Sequence, residues 1–217
     1  MKPTPIPYKK VPTIEELKCN FPSIKALFFD MDGTIFNTES VHAKALLKMA
    51  LDHRISIPQS PEVIHSLMVG KADHYIFEII KDWEGVPERW TLETFVEEKN
   101  ELILELLKLT PLGSYFSLEM QELLKGIRTH DYYLALVTSS EKIVTNELLK
   151  ITGLENYFHL VLTRDDCPLH KPDPWPYLRA REVSGFREHE VLIFEDSQVG
   201  LEAATQSGHQ VIKVEWY

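Results

Sequence analysis

Two aspartates, Asp30 and Asp32, follow directly on an apolar run at residues 24–29 and are separated by Met31. Side chains alternate along an extended chain, so the two carboxyls share a face, where they repel unless one is protonated or a cation lies between them. A second apolar run, residues 191–194, ends in Glu195 and Asp196. If it lies parallel beside the first, four acids meet at one edge. Oxygen donors, with no His or Cys at ligand spacing, select a hard cation, and Mg²⁺ with its retained waters suits a phosphate-handling site. Taken alone, Asp-x-Asp after an apolar run is what an ordinary turn also shows, because turns favour Asp. The neighbouring segments raise it above that.

A third run, residues 133–137, ends in Thr138-Ser139-Ser140 ahead of a helical pattern at 141–150. Hydroxyls and backbone N–H groups at a helix start form an anion-binding corner. Simple N-capping by Ser139 or Ser140 explains the same residues. Lys171 stands in His170-Lys171-Pro172-Asp173-Pro174. A lysine in a loop is ordinarily just solvated, but prolines stiffen this one, so the ammonium can be held near the acids to grip a phosphate oxygen. Asp173 and Pro174 read as the N-cap and N1 pair of the next helix.

The elements that must position these groups follow from the pattern. Residues 24–29, 133–137, 158–163, 191–194 and 210–214 read as strands, and helices alternate with them, which predicts a parallel sheet with ligands outside the carboxyl ends of its strands. Between about 38 and 110 the strand signal disappears and helices can be read, from 41–51 to 97–109, with Ser60-Pro61 as an N-cap and N1 pair. An all-helical insertion after the first strand is the simplest reading. The opening segment holds Pro3, Pro5, Pro7 and Pro12 and reads as a loose arm, followed by a short helix whose capping box is Thr13 with Glu16.

Composition narrows the function classes. The formal net charge of -10 over 217 residues disfavours nucleic acid and acidic membranes, either of which needs a concentrated basic surface, and favours a small-molecule partner. An anionic substrate then has to be drawn in by something locally positive. Cys19 and Cys167 make no CxxC pair, so no disulfide framework or thiolate zinc site is expected. The absence of a signal-like or membrane-length apolar stretch leads to the expectation of a cytoplasmic protein.

The sequence Phe28-Phe29-Asp30-Met31-Asp32-Gly33-Thr34, followed in order by Thr138, Lys171-Pro172 and Phe194-Glu195-Asp196-Ser197, resembles the haloacid dehalogenase (HAD) superfamily. The resemblance spans residues 24 to about 208. It implies an α/β, Rossmann-like core at 24–37 and 111–217, a helical cap at 38–110, and the arm with its short helix at 1–23. It further implies that Asp30 attacks phosphorus to form an aspartyl-phosphate while Asp32 protonates the leaving oxygen and then activates water. Mg²⁺ would be held by Asp30, the backbone carbonyl of Asp32 and Asp196, with Glu195 ligating or orienting a bound water. Thr138, Ser139 and Lys171 would cradle the phosphoryl group. Asp32 separates the chain from dehalogenases proper and from phosphonate-cleaving members, which lack a second Asp at this spacing.

The implied activity is hydrolysis of a small phosphorylated metabolite such as a sugar phosphate. A mutase similar to β-phosphoglucomutase would use the same residues. A phospho-receiver signalling domain also clusters acids, a hydroxyl and a Lys, but needs no helical insertion and leaves Asp32-Gly33-Thr34 unexplained. For substrate contacts the resemblance points to His42, after the hinge Thr38-Glu39-Ser40-Val41, and to Gly70-Lys71 as the cap's specificity loop. An ordinary amphipathic-helix histidine, and a helix-end glycine beside a solvated lysine, are the plain alternatives. Asn37 stands where the family commonly has an acid, and Pro111-Leu112-Gly113 replaces the usual Pro-Gly leading out of the cap.

Overall fold

In the computed structural model, which describes residues 3–57 and 73–217, the apolar runs become strands of one parallel sheet. In chain order the described elements are β1 (Ile6–Tyr8), α1 (Ile14–Asn20), β2 (Ala26–Phe29), α2 (Glu39–Asp52), α3 (Asp73–Ile80), α4 (Leu92–Leu109) and α5 (Leu118–Thr129). They continue with β3 (Tyr133–Val137), α6 (Lys142–Ile151), β4 (Leu160–Leu162), α7 (Trp175–Ser184), β5 (Val191–Glu195), α8 (Gln198–Gln206) and β6 (Gln210–Val214). The protein is therefore α/β, and among the described residues six strands run in the order β1-β6-β5-β2-β3-β4 with every strand pairing parallel. Among the described residues no helix is long and apolar enough to cross a membrane.

All four residues of β2 and all five of β5 are buried, as both faces of a parallel sheet must be when helices cover them. One face gathers Ala26, Phe28, Ala135, Val137, Ile193 and Val211 with Tyr177 and Ala180 of α7 and Leu201, Ala203 and Ala204 of α8. On the opposite face Phe29 stacks on Phe194, their ring centroids 4.1 Å apart.

The opening segment differs from the loose arm that its prolines suggest. Ile6, Pro7 and Tyr8 pair with Ile212, Lys213 and Val214, and Glu215 N donates to Tyr8 O at 2.8 Å. A strand at the sheet edge has one unpaired side, so a proline's missing N–H is tolerated there. The Thr13–Glu16 capping box forms as read: Glu16 N donates to Thr13 Oγ1 at 3.2 Å and Thr13 N to Glu16 Oε2 at 2.8 Å.

The chain divides into two compact units, Met1–Asn37 with Leu112–Tyr217, and Thr38–Pro111. The described helices of the second unit, α2, α3 and α4, enclose an apolar cluster of Leu46, Met49, Ile76, Ile80, Trp90 and Phe95. Glu98 ties two of its segments together by accepting from Trp90 Nε1 at 3.1 Å and pairing with His53. Gly70, Lys71 and the Ser60-Pro61 pair lie outside the described residues.

His209, just before β6, is fully buried. Ser207 Oγ donates to Ala204 O at 2.6 Å and lies 2.6 Å from His209 Nδ1, so with its one proton spent on the carbonyl the hydroxyl must accept from the ring. That fixes the Nδ1–H tautomer and leaves Nε2 without a partner. Burial pushes the ring pKa down to about 4, with Arg181 adding to the shift. The unfolded chain, with an ordinary histidine near 6.5, binds the proton first, so this residue's contribution is intact above pH 6.5 and declines as pH falls toward 4. The full loss is on the order of 3 kcal/mol. Urea unfolding at pH 7 and pH 4.5 is expected to show the stability advantage of wild type over His209→Asn shrinking on acidification. Parallel pH curves for the two proteins would contradict it.

Candidate active site

The register of the central strands assembles the site. Phe29 of β2 sits opposite Phe194 of β5 and Leu136 of β3, so the next residues along the three strands, Asp30, Glu195 and Val137, lie together at the carboxyl edge. Asp30 N donates to Phe194 O at 3.0 Å, which continues the ladder one step past the strand end and seats Asp30 beside Glu195. This is the middle of the sheet, where parallel α/β folds present their ligand-binding edge.

Lys171 binds all three strand ends. Its Nζ donates to Asp30 Oδ1 at 2.7 Å, to the Val137 carbonyl at 2.9 Å and to Glu195 Oε1. The Lys171 side chain is only 4% exposed and that of Glu195 not at all. Tyr177 of α7 completes the arrangement: its hydroxyl donates to the same Glu195 Oε1 at 2.7 Å, and its ring lies 4.9 Å from the ammonium. Ser197 Oγ, 3.2 Å from Glu195 Oε2, holds the other oxygen and caps α8 by accepting from Gly200 N.

After Asp30 the chain folds into a tight loop in which Ile35 N and Phe36 N both donate to Met31 O and Gly33 N donates to Phe36 O. Gly33 has φ +76°, and a Cβ there would lie 2.2 Å from Asp196 Oδ2, so both backbone conformation and space require glycine. Thr34 Oγ1 donates to Asp196 Oδ1 at 3.2 Å. Ser140 Oγ donates to Asp32 Oδ2 at 2.5 Å.

Carboxylate oxygens of Asp30, Glu195 and Asp196 all lie within 4.8 Å of one another. Burial, then Glu195, raises the Asp30 pKa well above the carboxylate range, with Lys171 opposing. Burial and Glu195 also push Asp196 up to about 7, against the Thr34 hydrogen bond and Lys171. Burial works against the Lys171 ammonium, but Asp30 and Glu195 outweigh it and keep its pKa well above that of an ordinary lysine. Fully ionised, three carboxylates with one ammonium would carry two negative charges at a site of hard oxygen donors, and the raised pKa values of Asp30 and Asp196 express the cost of that charge when no cation balances it. That donor set fits a divalent cation of the oxygen-preferring class.

The structure brings Asp30, Asp32, Thr138, Lys171, Glu195 and Asp196 to one edge. Thr138 is buried at the end of β3, its Oγ1 accepting from Ser140 N at 3.0 Å. Ser139 beside it is exposed. Neither serine is the N-cap of α6: that position is Glu141, because the Ser140 hydroxyl is committed to Asp32. The next helix begins one residue later than read, with Pro174 at the N-cap and Trp175 N donating to Asp173 Oδ1 at 2.8 Å. His42 is part-buried on α2 of the second unit. Tyr177 and Gly200 are outside the residues singled out from sequence, and Ser140 and Ser197, both singled out there, bond to Asp32 and Glu195, partners that local pattern does not show. Tyr177 shares the buried side of α7 with Pro176 and Ala180.

Residues 27–214 match the family model of haloacid dehalogenase-like hydrolases. The chain belongs to that family. This haloacid dehalogenase-like hydrolase is 31% identical over 189 residues to a phosphorylated carbohydrates phosphatase of Thermotoga maritima, covering 85% of this chain and 82% of that one. It is 29% identical over 202 residues to a phosphoglycolate phosphatase of Thiobacillus denitrificans, covering 88% and 83%. Among solved structures it superposes on CbbY of Rhodobacter sphaeroides with a TM-score of 0.76 at 21% identity, over 88% of this chain and 85% of that one, a likeness of fold.

In this hydrolase Gly200 sits inside α8, where alanine ordinarily stabilises a helix by up to about 1 kcal/mol. Here a Cβ would lie 1.9 Å from Glu195 Oε1, and Glu195 is pinned by Lys171, Tyr177 and Ser197. Gly200→Ala is therefore expected to destabilise by about 1–3 kcal/mol, the usual cost of overpacking. The urea midpoint checks it; a midpoint at or above wild type would contradict the packing of Glu195 on α8.

Proposed function

We propose that this protein is a Mg²⁺-dependent phosphatase of a small phosphorylated metabolite, with a sugar phosphate as the leading substrate class, acting through an aspartyl-phosphate on Asp30. The observation that carries the reading is the convergence of Asp30, Glu195, Asp196 and Lys171 in one buried cluster, with Asp32 fixed on the same loop. Relatives that cover most of the chain are phosphatases of phosphorylated carbohydrates and of phosphoglycolate, which supports the substrate class.

In this mechanism a carboxylate oxygen of Asp30 forms the bond to phosphorus as the bond to the leaving alkoxide breaks, and Asp32 gives its proton to that alkoxide. Asp32 then takes a proton from water, whose oxygen attacks phosphorus. The bond to Asp30 breaks, restoring the carboxylate and releasing orthophosphate. Ser140 orients Asp32 for both transfers by its hydrogen bond to Oδ2. Lys171 offsets the repulsion between an anionic nucleophile and an anionic substrate, and Thr138 with Ser139 supplies donors at the third strand end. Asp30, the Asp32 carbonyl and Asp196 would hold Mg²⁺, with Glu195 in support; when bound, the ion neutralises charge on the phosphoryl oxygens. His42, Gly70 and Lys71 are the proposed substrate-reading positions.

The test is phosphate release from an aryl phosphate and from a panel of phosphorylated metabolites, with Mg²⁺ and with EDTA. Asp30→Asn is expected to abolish release, because an amide is a poor nucleophile. Asp32→Asn is expected to form phosphoenzyme slowly and stall before its hydrolysis. Retention of most activity by Asp30→Asn would refute the assignment, and a sugar phosphate isomerised without phosphate release would replace it with a mutase.

A further inference from the structure

The backbone of the nucleophile loop is tied down from the far end of the sequence. Trp216 Nε1 donates to Thr34 O at 3.0 Å and Tyr217 OH donates to Ile35 O at 2.8 Å. Both loop residues are fully buried, so their carbonyls need donors, and the loop's own amide bonds close on Met31 and Phe36 instead. The tail that supplies these donors is itself anchored. Glu215 N is bonded to Tyr8 O, and the Trp216 ring lies 6.3 Å from that of Phe194, which stacks on Phe29. Ser117 lies beside the Tyr217 phenol. Indole and phenol rings have few rotatable bonds, so their donors are held in fixed directions.

The loop so held is the one that carries Asp32 and touches Asp196. Thr34, whose carbonyl accepts from Trp216, donates through its own hydroxyl to Asp196 Oδ1. Gly33, next to it, packs its Cα against the Asp196 carboxylate. Movement of the Thr34–Ile35 backbone is therefore transmitted to both acids.

We propose that Trp216 and Tyr217 are positioning residues for the reaction, locking the 31–36 loop so that Asp32 and Asp196 stay in place; this rests on the functional reading given above. Catalytic geometry is steep, and misplacement by about 1 Å can cost a hundredfold in rate. A merely structural tail would change stability without singling out turnover.

The experiment uses Trp216→Phe, Tyr217→Phe and their combination, which remove the donors and keep aromatic rings. With an aryl phosphate the double variant is expected to lose about tenfold in kcat, with KM changed by less than about twofold. Amide hydrogen exchange is expected to rise across residues 31–36 and to stay as in wild type across β3 and β5. Unchanged kcat with unchanged exchange at 31–36 would overturn the proposal. So would exchange that rises uniformly through the sheet, the mark of general destabilisation. Asp30→Asn, run alongside, separates the two questions. If it retains activity the nucleophile assignment fails, while local exchange at 31–36 still decides whether the tail locks the loop.

Discussion

One buried ammonium makes the site possible. Three strand ends of a parallel sheet converge with Asp30 and Glu195 side by side, and Asp196 follows at once. Unrelieved, such a cluster repels itself in a medium where charge is poorly screened. Lys171 answers two of the carboxylates and the Val137 carbonyl together, so it ties β2, β3 and β5 at the edge where each stops. Breaking a buried pair by removing one partner typically costs about 3–5 kcal/mol, so the lysine is part of what holds the fold together. It answers one of the three charges that the fully ionised cluster would carry, so a divalent ion would balance the other two.

Support around the lysine comes from groups on α7 and at the start of α8. Tyr177 and Ser197 satisfy the remaining acceptor sites of Glu195, and Gly200 lets α8 lie directly on its carboxyl. Gly33 does the same for Asp196 on the other side. Two glycines thus let the backbone approach two acids more closely than any side chain allows. The acids keep their positions because packing, and not only hydrogen bonding, restricts them.

Much of this was legible in the sequence where local pattern and tertiary role coincide. The apolar runs ending in Asp30, Thr138 and Glu195 read as buried strands because each is short, rich in strand formers and bounded by polar residues. Thr13 with Glu16 announced a helix start through groups that bond to each other. Legibility ended where a residue's role depends on a distant partner. Pro7 argues against a strand until the edge position and its pairing with Lys213 are known. Ser140 looks like a helix cap until Asp32, over a hundred residues away, claims its hydroxyl. Trp216 and Tyr217 read as an unremarked tail because the carbonyls they serve, on Thr34 and Ile35, carry no signal in residue type.

The central claim, that Asp30 and Asp196 with Glu195 form a site whose residual charge a divalent ion balances, is tested most directly by calorimetric titration of Mg²⁺ into EDTA-stripped, desalted protein. Expected is one ion bound per chain. Affinity should fall as pH is lowered from 7.5 to 6, because an Asp196 carboxyl titrating near 7 takes up a proton in competition with the metal. Asp196→Asn should weaken binding at least about tenfold, as loss of a charged ligand does. No measurable binding by the wild-type protein, or an affinity that Asp196→Asn leaves unchanged, would contradict the claim.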